Sequence, residues 1–504
     1  MAAPDKASNL PASRDCTSPI DHGRIPPEIR AACKHLRDRG FAAYLVGGAV
    51  RDLLRSPTAV AKDFDLTTSA RPEQVIHAFG HRRTIPTGIE HGTVTVMCDP
   101  PAGEDPGAGA AAKPPGPRPV EITTFRGETG FSDGRRPDRV EFITDLTEDL
   151  RRRDFTINAI AYDPLAGELF DPFDGRADLQ ARLLRAVGDP VARFAEDGLR
   201  VMRAVRFAAQ LEFTIDPATR AAFAGALPTL RKVSRERVRD ELLKLLAAPR
   251  PARGLRLLIE RSDEAPQADW GELGCLLRVI LPEVAALLER PEQAQVWWWL
   301  VELAPPPARL AALLWPMRGW LTGAGAQVAK VPAALPELLD ERLKLPTRHR
   351  QHLAALLLPL RAGPLPAILL PDDAPPPADQ DPLRSPVALR RLLARHPFEL
   401  LDELLTLLGL ESLLTGRPGR GDAALRLRDR LHAERARRPP LSIGELALSG
   451  KELLAELGLT PGPQVGALLA GLLEEVLVDP SCNERATLLA RARLLLLQKG
   501  PRAD

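Results

Sequence analysis

The chain has 504 residues, a length that suits two to four domains better than one core. Its 68 Lys and Arg nearly cancel 66 Asp and Glu, for a net charge of +2, so no global basicity announces a nucleic-acid partner and any basic surface has to be local. Five scattered cysteines (Cys16, Cys33, Cys98, Cys275, Cys482) without a CxxC pair argue against a disulfide framework or a zinc site, and no apolar run approaches the roughly 20 residues of a membrane span.

Residues 1–24 lack the apolar core of a signal peptide and read as a disordered leader, which with the cysteine usage points to the cytoplasm. "IPPEIRAACKHLRDRG" (25–40) predicts a helix, with proline near its start and glycine after its end. Strands follow at 42–46 and 63–66, then a helix near 72–79 and strands in "GTVTVMC" and "PVEITTFR". Between those last two, residues 99–119 are rich in Pro, Gly and Ala and read as a hairpin insertion. From Leu179 onward the pattern is almost wholly helical, with 369–386 as the clearest linker. The expected architecture is an α/β head, a mixed sheet with flanking helices, followed by an all-α neck, body and tail. The boundaries are 25–175 for the head, 176–260 for the neck, 261–368 for the body and 387–504 for the tail.

The chemistry concentrates in "YLVGGAVRDLLRSPTAVAKDFDL" (44–66). Alternation along a strand puts Asp63 and Asp65 on one face and Phe64 and Leu66 on the other. The later strand repeats the pattern, with Glu121 and Thr123 outward and Val120 and Ile122 inward. Three carboxylates from two strands repel one another unless a cation sits between them, and hard oxygen donors suit Mg²⁺, which keeps waters and binds substrate phosphates. Two such ions suit activation of an attacking hydroxyl and stabilisation of a pyrophosphate leaving group. Gly47 and Gly48 allow close backbone approach to a ligand before a helix start, and Arg51 is placed to pair with phosphate oxygens. In "RRRDFTINA", Arg153 suits a triphosphate or sugar, and Asp154 suits a ribose hydroxyl.

"GGAVRDLL…DFDL", "EHGTVTV", "VEITTFR", "DLRRRDFTINAIAYD", "DPFDGRADL", "FAEDGLRVMRAVRFAAQLEF" and "SRERVRDELLKLL" occur in that order. Together they resemble the bacterial class II tRNA nucleotidyltransferase/poly(A) polymerase family, densely over Ala42 to about Leu258 and more weakly near the C-terminus. The resemblance implies template-independent addition of C and A to the 3′ end of tRNA from CTP and ATP, with two Mg²⁺ ions held by Asp63 and Asp65 and with Glu121 at the hydroxyl. Addition of A alone or of poly(A) are the alternatives within the family, and an inactive RNA-binding protein is a remote one. The resemblance further implies a preference for ribonucleotides at 151–159, a flexible specificity loop at 125–138 and a hinge at Gly175.

In the family, the helix of "EDGLRVMRAVRF" templates the incoming base. Read as one helix, Asp197 and Arg200 are neighbours at i and i+3, and Arg203 and Arg206 continue the stripe. Cytosine and adenine both present an amine donor beside a ring-nitrogen acceptor, which one carboxylate and one guanidinium satisfy. Uracil and guanine present the reverse order and leave both protein groups unpaired.

Ser234, Arg237 and Glu241 read as braces of the neck. Trp297, Trp298 and Trp299 point to different faces of a helix and read as packing rather than an RNA platform, while the basic clusters around His349 and residues 426–438 suit either tRNA phosphates or a solvated face. No His-Asp dipeptide accompanies His349 and His352, which argues against an appended phosphohydrolase domain. Oligomeric state leaves no sequence signal.

Overall fold

The structure, a computed structural model, describes residues 20–58, 61, 63–99, 116–129, 139–259, 276–287, 291–317, 331–357, 384–416 and 418–498. The middle of the hairpin insertion, the centre of the 125–138 loop, most of the expected linker and the first 19 residues lie outside them. The chain divides into two compact units, Met1–Ile280 and Leu281–Asp504.

In the first unit, α1 (Pro27–Arg37) starts on a proline, which loses no helical hydrogen bond at that position. The chain then enters β1 (Ala43–Val46), α2 (Gly48–Arg55), β2 (Asp65–Thr68) and α3 (Pro72–Phe79). A hairpin of β3 (Thr84–Gly88) and β4 (Thr93–Cys98) leads to β5 (Arg118–Thr124), which pairs antiparallel with β4 and parallel with β2. The sheet has seven strands in the order β3-β4-β5-β2-β1-β8-β9, closed by β8 (Ala161–Asp163) and β9 (Glu168–Phe170). Leu45, Leu66, Val94 and Ile122 are fully buried on the face that alternation separates from the carboxylates. On the opposite face Val46 packs with Phe125, Leu146, Leu150 and Ala161, so α4 (Leu146–Arg151) lies on the carboxylate side.

Four expectations change. Asp63 precedes β2 rather than lying in it. β3 was not expected as a strand, because Pro86 interrupts its ladder; it survives at the sheet edge with a register shift between Ile85 and Gly88. The loop at 125–138 is rooted in a two-stranded ribbon, β6 (Arg126–Thr129) with β7 (Arg139–Phe142). The end of the expected leader is docked: Ile20 and Ile25 are buried, and Arg24 donates to Leu53 O at 2.9 Å and Ser56 O at 2.7 Å, capping the end of α2.

The neck comprises α5 (Gly175–Ala181), α6 (Pro190–Glu196), α7 (Leu199–Leu211), α8 (Pro217–Ala221), α9 (Leu227–Lys232), α10 (Arg235–Leu246) and α11 (Pro251–Ile259). It is not wholly helical: Leu183–Leu184 pairs parallel with Thr214–Ile215. Helix α7 packs against α10 and α11, Gly254 of α11 lying close to Val205 O and Ala209, and Val201, Val205 and Ala208 are fully buried.

In the second unit, helix Phe398–Leu414 buries Leu400, Leu401, Leu404, Leu405, Leu407 and Leu408 and packs against helix Pro418–Ala436. The last three helices, Gly450–Leu457, Pro463–Val478 and Arg485–Gln498, close around Leu453, Leu468, Leu472, Val476 and Leu488. Among the three tryptophans, Trp298 is buried and Trp299 is 47% exposed, as packing on one helix face requires. No helix among the described residues is long and apolar enough to cross a membrane.

Candidate active site in the head and neck

The register of β2 with β5 sets Asp65 directly beside Glu121, two carboxylates on one face of adjacent parallel strands. Asp63 stands exposed just before them. Burial raises the Asp65 carboxyl above its usual range; Glu121 and Asp63 push it further, and Arg153 opposes them. Negative charge therefore gathers here beyond what the protein neutralises. Among the described residues no group of three His, Cys, Asp or Glu side chains is arranged as a metal cage.

Gly47 has φ +74°, a backbone conformation that glycine adopts without strain, and α2 begins at the next residue. A Cβ on Gly47 would meet Arg153 Nη1 at 3.3 Å and Asp65 Oδ2 at 3.8 Å, so the glycine leaves room for the guanidinium beside the carboxylates. The backbone N–H of Arg153 donates to Leu150 O at 3.1 Å, but its guanidinium makes no hydrogen bond to a described residue. Its Nε is buried without an acceptor, and Asp149 lies 3.9 Å from Nη2. Burial lowers its pKa, against the pull of Asp149 and Asp65. This is a cation with donors unspent.

Arg51 differs from expectation. It is buried, donating through Nη1 to Asn158 Oδ1 at 2.9 Å and through Nε and Nη2 to Asp52 at 3.0 Å, so it braces α2 instead of facing out toward phosphate. Asp154 departs likewise. Its Oδ1 accepts from Phe155 N at 2.9 Å and Asn158 Nδ2 at 3.1 Å, and its Oδ2 takes both Arg203 Nε at 2.7 Å and Arg203 Nη2 at 2.6 Å. Four donors fill the four lone-pair sites of a carboxylate, which leaves none for a ribose hydroxyl. Burial alone would raise its pKa, but Arg203 and Asn158 bring it down to about 2. Asp154 is a lock between head and neck.

Asp149, fully buried on α4, gathers Thr67 Oγ1 at 2.9 Å, Arg152 Nε at 3.0 Å and the Arg126 backbone N–H at 3.2 Å. Burial opposes its ionisation, yet Arg152 and Arg153 hold its carboxyl below the usual range. It thus joins the strand after Asp65, the root of the β6–β7 ribbon and the two arginines.

Asp197 lies outside the helix expected to carry it. Its backbone is extended (φ −145°, ψ 105°), and its Oδ1 accepts from Leu199 N at 3.0 Å at the start of α7. Gly198 follows, and a Cβ there would land on the backbone of Leu230 in α9. Arg200, in the first turn of α7, donates through Nη1 to Arg193 O at 2.8 Å and to Glu196, and through Nη2 to Arg152 O at 3.0 Å. Among the described residues its Nε–H and one Nη2 hydrogen remain unpaired, so Asp197 offers acceptors and Arg200 donors. Arg203 and Arg206 serve behind them: Arg206 is buried and donates to Glu241 Oε2 at 2.6 Å. The ring of Phe207 carries the guanidinia of Arg51, Arg203 and Arg206 at 5.1, 5.5 and 3.9 Å, within cation–π range.

The reading missed Asp149 and Phe207, whose partners lie far apart in sequence. Glu241 was read as a brace and pairs with Arg206; Ser234, read beside it, makes no side-chain cap. Gly175 is packed against Thr156 and lies 2.8 Å, measured from an ideal Cβ, from Ile160 Cγ1, so space explains this glycine.

A parallel strand pair bearing adjacent carboxylates, behind a Gly-Gly helix start and an unspent arginine, defines a nucleotidyltransferase head. The description "Poly A polymerase head domain" matches residues 43–185, and "Probable RNA and SrmB- binding site of polymerase A" matches 212–262. The chain is 34% identical to the CCA-adding enzyme of Enterococcus faecalis over 474 residues, covering 93% of this chain and 97% of that one. It is 47% identical to the CCA-adding enzyme of Levilactobacillus brevis over 238 residues, 47% of this chain but 54% of the relative, so that match spans about half the relative's length. The crystal structure of the Bacillus stearothermophilus CCA-adding enzyme in complex with CTP superposes with a TM-score of 0.59 at 29% identity, covering 95% of this chain and all of the other. The chain belongs to the CCA-adding enzyme and poly(A) polymerase family of nucleotidyltransferases.

Proposed function

We propose that this protein adds C and then A to the 3′ end of tRNA, using CTP and ATP, in the cytoplasm. The observation that carries the reading is Arg153, a largely buried side chain beside Gly47 and Asp65 whose Nε is buried without an acceptor. Its ion pair with Asp149, at 3.9 Å, is too long for a hydrogen bond and leaves its donors unspent, and a nucleoside triphosphate is an anion that fits beside a helix start and paired carboxylates. The relation to CCA-adding enzymes, and the CTP bound by the Bacillus stearothermophilus relative, support the substrates.

Asp65 and Glu121, with Asp63 nearby, fit Mg²⁺, which takes one or two carboxylates and completes its shell with waters and substrate phosphates. When bound, two such ions would offset the carboxylate charge and supply Lewis-acid stabilisation of the phosphates. Asp63 and Asp65 would hold them. Glu121 orients the RNA 3′-hydroxyl and takes its proton as the oxygen attacks the α-phosphorus and pyrophosphate leaves. Gly47, Gly48 and Arg153 hold the triphosphate. Asp197 accepts from the exocyclic amine of the base and Arg200 donates to its ring nitrogen, while Arg51, Asp154, Arg203 and Arg206 keep these groups in place.

The test is single-nucleotide extension of tRNA transcripts ending before CCA, after C, or after CC, with Mg²⁺ and CTP, ATP or both. Ordered growth to CCA followed by a stop is the expected result. One A added to the CC-ended transcript alone makes the protein an A-adding enzyme. Long A tails on unrelated RNA make it a poly(A) polymerase, and no incorporation overturns the reading.

A further inference from the structure

Arg237 lies on α10, forty residues beyond Asp197, and donates through Nη2 to Asp197 Oδ2 at 2.7 Å. The other oxygen, Oδ1, accepts from Leu199 N at 3.0 Å. Each oxygen of a carboxylate has two acceptor sites, so each keeps one for a base. One anchor leaves a carboxylate free to turn about its last bond; two anchors on different oxygens fix its plane. Asp197 needs the second anchor because it precedes α7 with an extended backbone, tied to the main chain of the helix only where Arg200 N donates to Asp197 O at 3.0 Å.

Arg237 is itself firmly held. Its helix buries Val238, Leu242 and Leu245, and Glu241, one turn further on, pairs with Arg206 of α7. Arg237 Nη1 is buried and has no acceptor among the described residues, so hydrogen bonding elsewhere does not explain where this guanidinium sits. Its contact with Asp197 does.

We propose that Arg237 is a specificity-positioning residue: by fixing the plane of the Asp197 carboxylate it aims the free lone pairs at the exocyclic amine of cytosine and adenine, and so enforces rejection of uracil and guanine. The proposal rests on the nucleotide-adding function above. A carboxylate free to rotate accepts less well from an amine in one fixed place, and it yields more readily to a carbonyl. Discrimination then falls through loss with the correct base and gain with the wrong one.

The experiment compares kcat/KM for CTP and UTP on one tRNA transcript, with melting followed by circular dichroism, for wild type, Arg237→Met, Arg237→Lys and Arg253→Met. Arg237→Met is expected to lower the CTP-to-UTP ratio by about tenfold or more. Arg237→Lys restores part of that ratio because one donor remains. Arg253→Met removes a neck brace on α11, its bond to Phe213 O at 2.9 Å, lowers the melting temperature and leaves the ratio intact. An unchanged ratio in Arg237→Met, or an equal loss in Arg253→Met, overturns the proposal and makes Arg237 a brace only. If Arg237→Met does not fold, the ratio in Arg237→Lys decides, and a wild-type value there overturns it. A wild type that adds nothing, or that does not prefer CTP to UTP, instead overturns the function on which the proposal rests.

Discussion

The two compact units place their charged residues in opposite ways. In the head and neck, Arg51, Asp149, Asp154, Asp178, Arg206 and Glu241 are all buried and joined by hydrogen bonds. In the C-terminal unit the interior is leucine, and pairs such as Arg391–Glu474 (45% and 50% exposed) lie at the surface, with Arg390–Glu434 a buried exception. Buried charges cost desolvation and are directional, so they define positions closely. Leucine packing is strong but tolerates rearrangement. The unit that, under the proposed function, sets carboxylates and guanidinia around one nucleotide uses the directional contacts. The helical unit holds its shape by volume.

The contrast breaks most sharply at Asp65. Asp65→Asn is expected to slow nucleotide incorporation at least about a thousandfold, equivalent to about 4 kcal/mol of barrier, in single-turnover extension. The same change leaves melting unchanged or raises it, because Glu121 and Asp63 oppose ionisation of Asp65 in the fold. Arg203→Met strands the Asp154 charge and costs about 3–5 kcal/mol in urea unfolding, together with nucleotide addition. Leu404→Ala, in the leucine interior, costs about 2–5 kcal/mol at the C-terminal unit's own transition while incorporation of CTP continues.

Acid sharpens the comparison further. The folded Asp154 titrates at about 2, below its ordinary 3.8, so its contribution is complete above about pH 4 and is lost as the pH falls toward 2. That contribution is about 2 kcal/mol, and Asp154→Asn removes this part of the acid limb when unfolding is measured between pH 5 and pH 2. The smallest effect belongs to the surface: Glu474→Gln shifts stability by less than about 0.5 kcal/mol, within the scatter of calorimetry.

Local pattern carried much of the fold. α1 and α3 announced themselves by proline starts, and β4 and β5 by alternation and β-branched residues. The carboxylate pair was legible too, because period two decides which residues share a face. β3 was hidden by Pro86, and the β6–β7 ribbon by the length of glycine-rich loop between its strands. What local pattern could not give was occupancy. "RRDFTINA" offers Asp154 as a ligand group, but its Oδ2 is taken by Arg203, 49 residues on, and Arg51 is claimed by Asn158, 107 residues on. Charges at i and i+3 suit a helix and so suggest one through Asp197, whereas Asp197 is extended and its side chain caps α7 from outside by accepting from Leu199 N.

The contact of Gly198 with Leu230 has a consequence for what this site can become. Gly198 stands between Asp197 and Arg200, and main chain meets main chain there, so neither side has a side chain to reshape. Under the proposed function, substitution at Asp197 or Arg200 alters which groups meet a base. It does not alter where their backbones stand, which is inherited from the position of α9. Variation in this pocket is open in chemistry and closed in register.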